Sequence, residues 1–310
     1  MKFRATTYGL LTVMFLIVYL AVYGSGSDER PDFVYNHPSL DEINHDLNIC
    51  KTRSMSLNAK SVLVMDNKPG AWIFSKRPQR VRPIASLTKL LTAMVYLDTK
   101  PNLDTTVYIS SRDCYQSAKS RIYKGEAYCA RDLLYAAVMA SDNRAARAIA
   151  TASGLARHTF IERMNKKAQA LGMMNTKLFE VTGLDERNVS TAADIAIMIN
   201  AAMGYPEIKN GSSRYIHNCQ LQNKKRKKRF INTNRLVRSK WNVLAGKTGF
   251  IIESDYCLAT ILKNKAGEEI TVVVLGSPTN NIRFSVARKL ATYGFKRAGR
   301  YNDGKQIAGR

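Results

Sequence analysis

Strand-like runs near the two ends of this chain, with helical patterns between them, limit its fold more than any other feature. Ser61-Val62-Leu63-Val64-Met65 reads as a strand and Ala71-Trp72-Ile73-Phe74 as its hairpin partner, joined by the turn residues Asp66-Asn67-Lys68-Pro69-Gly70. Far downstream, Tyr256 to Leu262 and Ile270 to Leu275 have the β-branched and aromatic content of strands, with Gly267-Glu268 as a turn. Trp241 to Phe250 belongs to the same β-rich third, and a helix follows over roughly Ile282 to Phe295. From Asp104 to Met203 the apolar spacing is mostly helical. Helices are expected over Arg131–Met139, Arg144–Thr151 and Phe160–Leu171, and from the capping stretch Ser190–Asp194 to Met203. This order predicts an α/β domain whose sheet combines both chain ends, with a helical region inserted.

Chemistry enters at Pro83-Ile84-Ala85-Ser86-Leu87-Thr88-Lys89-Leu90-Leu91, which reads as the start of a helix running to about Leu97. Ser86 and Lys89 are three residues apart, so on a helix their side chains share one face. A serine hydroxyl is a weak nucleophile until a base takes its proton, and a neutral lysine at that spacing can act as the base. Ser-x-x-Lys alone is equally a surface pair on an amphipathic helix. Two further triplets follow in order, Ser141-Asp142-Asn143 and Lys247-Thr248-Gly249. Singly they read as a helix cap and a surface strand.

Charge is lopsided: 48 Lys+Arg against 24 Asp+Glu give a formal +24, which calls for anionic surroundings without naming them. The run Lys224-Lys225-Arg226-Lys227-Lys228-Arg229 reads either as a solvated loop or as a docking patch for an anionic polymer or membrane surface. No aromatic residues interleave it, so specific nucleic-acid binding is not expected. Residues 1–27 look like an export signal or an N-terminal anchor: Lys2 and Arg4 precede an apolar run from Tyr8 to Tyr23, and Gly24-Ser25-Gly26-Ser27 offers small residues for cleavage. That run falls short of the roughly 20 residues that comfortably span a bilayer. Residues 28–58 read as a lead-in, 59–298 as the catalytic domain and 299–310 as a polar tail. The five cysteines show no metal-ligand spacing, and no cofactor or metal is expected. One disulfide is conceivable in an oxidising compartment, with Cys114 and Cys129 the best-placed pair by sequence. The histidines (His37, His45, His158, His217) fall outside the triplets, which makes a Ser-His-Asp triad a weak competitor.

Ser-x-x-Lys, Ser-Asp-Asn and Lys-Thr-Gly together are the signature of class A β-lactamases and penicillin-binding proteins. With all three in order, the chain resembles the low-molecular-mass penicillin-binding proteins, the serine D-Ala-D-Ala peptidases. Arg82-Pro83-Ile84-Ala85-Ser86, Ser141-Asp142-Asn143-Arg144-Ala145-Ala146, Thr182-Gly183-Leu184 and Asn232-Thr233-Asn234-Arg235-Leu236 extend the likeness across roughly Ser61 to Tyr293. The resemblance implies a β-lactamase/DD-peptidase-like α/β fold with an antiparallel sheet. It implies Ser86 as nucleophile on the carbonyl of a penultimate D-Ala, Lys89 as base, Ser141 as proton relay and Asn143 as a ligand of the substrate amide. Lys247 and Thr248 would hold the substrate carboxylate, Gly249 would let its strand lie close, and the N–H groups of Ser86 and Phe250 would form the oxyanion hole. Peptidoglycan stem peptides would be the substrates, and β-lactam antibiotics covalent inhibitors, outside the cytoplasm: in the periplasm or on the outer face of the membrane.

Two alternatives stay open, a β-lactamase and a non-catalytic wall-binding protein of the same fold. A lactamase needs a deacylating carboxylate, for which Glu180 and Glu186 are the candidates, although Thr182 to Asn188 reads as peptidase-like. The chain ends soon after Lys247, at Arg310, a short layout like that of the D-Ala-D-Ala endopeptidase subgroup. Ser254-Asp255 departs from the family's usual Ala-Gly and adds a carboxylate near the active strand. Lys89 must lose its proton to act as a base, and the sequence suggests two causes: a second cation at Lys247, and burial under substrate.

Overall fold

The hairpin expected near the start is present as β1 (Ser61–Asp66) and β2 (Trp72–Lys76) in the computed structural model, which describes residues 57–68, 70–115 and 120–298. The export signal, nearly all of the lead-in, Cys50 and the polar tail lie outside the described residues. A short β3 (Arg82–Pro83) leads into a 3-10 turn (Ala85–Thr88) and α1 (Lys89–Asp98). A small hairpin, β4 (Thr106–Tyr108) and β5 (Ala127–Cys129), precedes α2 (Ala130–Val138), α3 (Asn143–Ala152) and α4 (Arg157–Ala170). Next come β6 (Val189–Ser190), paired with β3, then α5 (Ala192–Ala202), α6 (Pro206–Ser213), and the hairpin β7 (Ile216–Gln220) and β8 (Lys227–Ile231). The chain then forms a 3-10 turn (Arg235–Arg238), β9 (Asn242–Ile251), β10 (Asp255–Lys263), β11 (Glu269–Ser277) and α7 (Asn280–Phe295).

The main sheet has the order β2-β1-β11-β10-β9, antiparallel throughout, so the expected union of the two chain ends is present. It is made at the β1–β11 ladder, where Ser61 faces Leu275 and Met65 faces Thr271. All six residues of β1 are buried, which requires cover on both faces of the sheet. On one face Val62, Val64, Val272 and Val274 pack with Phe284, Ala287 and Leu290 of α7. The other cover is α5, which packs against β1, β10 and β11 and is itself apolar nearly all round. Each fully buried Val or Leu stabilises the fold by ~1.5–3 kcal/mol, so this double-sided core holds the site's strands rigidly.

Several local expectations change. Ser86 sits in the 3-10 turn and α1 begins only at Lys89, because Ala85 takes a left-handed conformation (φ 47°) that an α-helix cannot include. The α6 helix is new, with Pro206 in its first turn where a missing N–H costs nothing. The basic run is not one loop: Lys227 to Ile231 alternate exposed and buried, and Lys228 points inward. Cys114, Cys129, Cys219 and Cys257 are all free thiols, so the Cys114–Cys129 bridge is not formed.

Candidate active site

Lys89 opens α1 and is wholly buried. Its Nζ lies 2.7 Å from Ser86 Oγ, 2.7 Å from Asn143 Oδ1 and 2.6 Å from the carbonyl oxygen of Thr182. The last two can only accept hydrogen bonds, whereas the hydroxyl can also donate. A neutral amine with two N–H groups therefore satisfies both acceptors and turns its lone pair to the Ser86 hydroxyl. Burial supports that state by pushing the Lys89 pKa down to about 7; Glu180 and Asp142 oppose the shift, and Arg147 adds to it. The protein itself supplies the burial, with no substrate needed. The two buried amines disfavour each other's charge, and Lys89 helps hold Lys247 low.

Asp142 caps α3, its side chain accepting from the N–H groups of Arg144 and Ala145. This fixes Asn143 at the helix start and leaves Ser141 just outside it, in a left-handed conformation (φ 60°). Ala85 and Ser141 are thus both strained, as residues at functional sites often are, at roughly 1–3 kcal/mol each. Ser141 Oγ accepts from Lys247 Nζ at 2.7 Å, and the same amine donates to the Thr248 carbonyl at 2.8 Å. Lys247 is almost fully buried, and desolvation first, then Lys89 and Arg283, hold its pKa well below that of a free lysine. Thr248 Oγ1 shares a 2.6 Å hydrogen bond with Thr233 Oγ1. Two lysine–serine pairs, Lys89–Ser86 and Lys247–Ser141, thus lie close enough for their amines to interact.

Two glycines permit the close approach. A Cβ on Gly249 would lie 2.8 Å from the Ile84 carbonyl oxygen and 3.2 Å from Ser86 N, so β9 runs directly against the nucleophile's turn. The next residue, Phe250, is half exposed and stacks on Tyr256 with ring centroids 4.2 Å apart. From α7, buried Arg283 donates to the carbonyls of Gly249 (3.0 Å) and Cys257 (2.9 Å), pinning β9 to β10. Gly183 brings the third segment, the loop from Glu180 to Asn188.

Glu180 organises that loop. Its Oε2 accepts from Thr182 N and Thr182 Oγ1, each at 2.7 Å, and its Oε1 from Gly183 N, Leu184 N (3.0 Å) and Asn188 Nδ2 (3.1 Å). Asn188 Nδ2 also reaches Thr88 Oγ1 (3.2 Å), and its carbonyl accepts from Ile84 N (3.0 Å). With five donors on two oxygens, Glu180 has no lone pair left to activate a water. Asp185 pairs with Arg187, and the extra carboxylate of Asp255 pairs with Lys60 (2.8 Å) and Arg82 (3.7 Å). His217 bonds to Asp132 and His158 to Thr159, so the described histidines are engaged away from Ser86.

A profile of the D-alanyl-D-alanine carboxypeptidase family matches residues 48–279. The chain belongs to this family. Among curated relatives, a D-alanyl-D-alanine endopeptidase of Pseudomonas aeruginosa is 40% identical, over 65% of this chain and 66% of that one. One from Escherichia coli is 37% identical, over 75% of this chain and 76% of that one. The fold superposes on the crystal structure of a Streptomyces DD-transpeptidase with a TM-score of 0.74 and 26% identity, covering 79% of this chain and all of that one. The resemblance to the low-molecular-mass penicillin-binding proteins is therefore borne out.

Of the eight residues singled out from the sequence, the structure joins Lys89 to Ser86 and Asn143, pairs Lys247 with Ser141, and sets Gly249 against Ser86, with Thr248 and Phe250 flanking Gly249 on β9. Sequence reasoning passed over the Thr182 carbonyl, Thr233 and Arg283. Thr182 and Thr233 lie inside stretches already noted for their family likeness, so that signal was available. Arg283 gave none, since a cation on a terminal helix reads as solvated.

Proposed function

We propose that this chain is an exported serine DD-peptidase that cleaves D-alanyl peptide bonds in peptidoglycan through an acyl-enzyme on Ser86. The observation that carries the reading is the buried Lys89 amine 2.7 Å from Ser86 Oγ, with two obligate acceptors on its other side. Lys89 takes the Ser86 proton as Oγ adds to the carbonyl of the D-alanyl residue. The N–H groups of Ser86 and Phe250 receive the oxyanion; losing one such donor typically costs about 3 kcal/mol of barrier. The C–N bond then breaks, and the leaving nitrogen gains a proton relayed through Ser141 from Lys247 or Lys89. Water adds to the ester and returns the proton to Ser86. Asn143 holds the substrate amide, and Lys247 with Thr248 holds its carboxylate.

On this reading residues 59–298 serve as the catalytic domain and 1–27 as export signal or anchor, with the activity in the periplasm or on the outer face of the cytoplasmic membrane. Among the described residues no helix is long and apolar enough to cross a membrane. The endopeptidase names of the more similar relatives support cleavage of cross-links over trimming of terminal D-Ala. A wall-binding protein without activity would have no use for a lysine held near neutrality beside a serine. The exposed cations Lys224, Lys225, Arg226 and Lys227 are proposed to dock anionic polymer or membrane.

Labelling with a fluorescent penicillin tests the enzyme. A stable adduct is expected on the wild type and none on Ser86→Ala, and an unlabelled wild type would sink the reading. Chromatography of digested cell wall then tests the reaction type. Cross-linked muropeptide dimers should become monomers, whereas loss of terminal D-Ala with dimers intact would make it a carboxypeptidase.

A further inference from the structure

Beside the Ser141 loop lies a cavity of about 280 Å³ that the reaction above does not use. Ser141 and Asn143 line it together with Ser120, Arg121 and Arg229 of β8. It adjoins the candidate active site through two shared residues: Asn143 accepts from Lys89 Nζ and Ser141 from Lys247 Nζ.

Its chemistry is cationic. Arg121 and Arg229 are both exposed at the rim. Arg121 gives one N–H to the Arg229 carbonyl (3.0 Å), while among the described residues no hydrogen bond or ion pair engages the Arg229 guanidinium. The one carboxylate in the lining, Asp142, is already committed. It accepts from Ser120 Oγ (2.7 Å), Arg144 N (2.9 Å), Ala145 N (3.1 Å) and Arg121 N (3.3 Å). It therefore caps α3 and leaves the guanidinium groups unneutralised.

The position of Arg229 is set by its neighbour. Lys228 turns inward, where its Nζ pairs with buried Glu126 (2.8 Å) and bonds to the Arg121 carbonyl (2.7 Å). Strand alternation then sends Arg229 outward on the cavity side. One buried carboxylate thus anchors the backbone of both arginines. A guanidinium offers a planar fork of donors that fits a carboxylate in a bidentate way, which an ammonium does not.

We propose that this cavity is a subsite for a carboxylate carried by the substrate peptide, bound by Arg229 with Arg121 in support. The inference rests on the peptidase reading and deepens it by naming the substrate's charge as a determinant of choice. A chain with a free carboxylate near the scissile bond is favoured, and one with that group amidated loses the pair.

The experiment uses the full chain and two synthetic peptides ending in D-Ala-D-Ala, identical except that one nearby side chain carries a carboxylate or its carboxamide. Wild type should favour the acid by about tenfold in kcat/KM, chiefly through KM, the size expected for one charge-assisted hydrogen bond at a partly exposed site. The preference should shrink with added salt. Arg229→Gln should bring the acid-to-amide ratio near one, and Arg229→Lys should keep part of it. An even-handed wild type, a ratio flat with salt, or an Arg229→Gln enzyme with its ratio intact would each overturn the subsite. Binding of the two peptides to Ser86→Ala reads the same discrimination without turnover. An absent penicillin adduct would therefore strike the peptidase reading alone, and equal binding of acid and amide the subsite alone.

Discussion

A Cβ on Gly183 would lie 1.9 Å from the carbonyl oxygen of Ala85 and 2.8 Å from the amide nitrogen of Ser86. The loop that supplies the Thr182 carbonyl to Lys89 therefore rests directly on the backbone of the nucleophile's turn. Gly183 also has φ 82°, which a side chain resists.

Gly183→Ala is thus expected to move Ser86 or Thr182, since neither backbone can yield like a flexible side chain. Acylation by penicillin should fall by about 100-fold or more, the scale on which a misplacement of about 1 Å acts. Gly154→Ala makes the comparison: its φ is similar at 73° but nothing lies within 4 Å of the added carbon. That variant should lose only ~1 kcal/mol of stability and acylate normally. Equal acylation by the two variants would show that the contact does not hold the site.

With the Lys89 pKa near 7, acylation should rise with pH through about 7 and level off above it. Lys89→Arg should not acylate, because a guanidinium is effectively never deprotonated. Stability follows the same proton. Between about 7 and 10.5 the unfolded lysine holds a proton that the folded one has shed, so the folded state gains as pH rises across that window. Below about 7 both states are protonated and the burial penalty is complete. Lys89→Met removes that titration. Its stability advantage over wild type should be largest near pH 6 and shrink toward pH 10, as read by denaturant titrations. An advantage constant with pH would mean that Lys89 is not depressed.

Glu180 separates the peptidase from a β-lactamase. Its five hydrogen bonds hold the loop, so Glu180→Gln leaves several buried donors facing another donor, at about 1–3 kcal/mol for each group left unpaired. The variant should melt earlier and acylate more slowly, while its penicillin adduct decays at the wild-type rate. A lactamase would show the reverse, with normal acylation and an adduct that no longer turns over.

Six of the eight site residues were legible because their chemistry resides in side chains of a definite type at a definite spacing. The third partner of Lys89 was not, because a backbone carbonyl carries no mark of residue type and Thr182 lies 93 positions away. Glu180 was visible as a carboxylate in a loop, yet only its donors distinguish a loop staple from a base. The union of the two chain ends in one sheet followed from β-branched runs at both ends, whose burial on both faces fits their near-continuous apolar content, whereas the strand order came only from the structure. The start of α1 was misplaced by four residues' worth of 3-10 turn, since the left-handed Ala85 is imposed by contact with Gly183 and Gly249, which no local propensity encodes. In the basic run, the alternation that buries Lys228 and Phe230 was present in the residues but hidden by uniform charge.

That alternation divides the basic run into two kinds of cation with opposite expected behaviour. Lys224, Lys225, Arg226 and Lys227 are exposed, and changing all four to Gln should leave the melting temperature nearly unmoved, as for most surface substitutions. If they dock the enzyme, the variant should bind anionic vesicles more weakly and with a flatter salt dependence, while cleavage of a small soluble peptide is unaffected. Unchanged binding would return them to a solvated strand end. Lys228 is different: it and Glu126 are 7% and 2% exposed, and Lys228→Gln strands a buried carboxylate. Burial pushes the Glu126 pKa up, but hydrogen bonds from Lys228, Tyr128 and the Tyr123 N–H, with the Lys228 charge, together hold it below the usual carboxylate value. A depressed folded pKa contributes stability above the unfolded value near 4.5 that is lost as pH falls through the folded one. Lys228→Gln should therefore cost about 3–5 kcal/mol at neutral pH, and much less in acid, where Glu126 is protonated and needs no cation. A cost that stayed the same from pH 7 to pH 3 would show that packing, rather than the ion pair, is what Lys228 supplies.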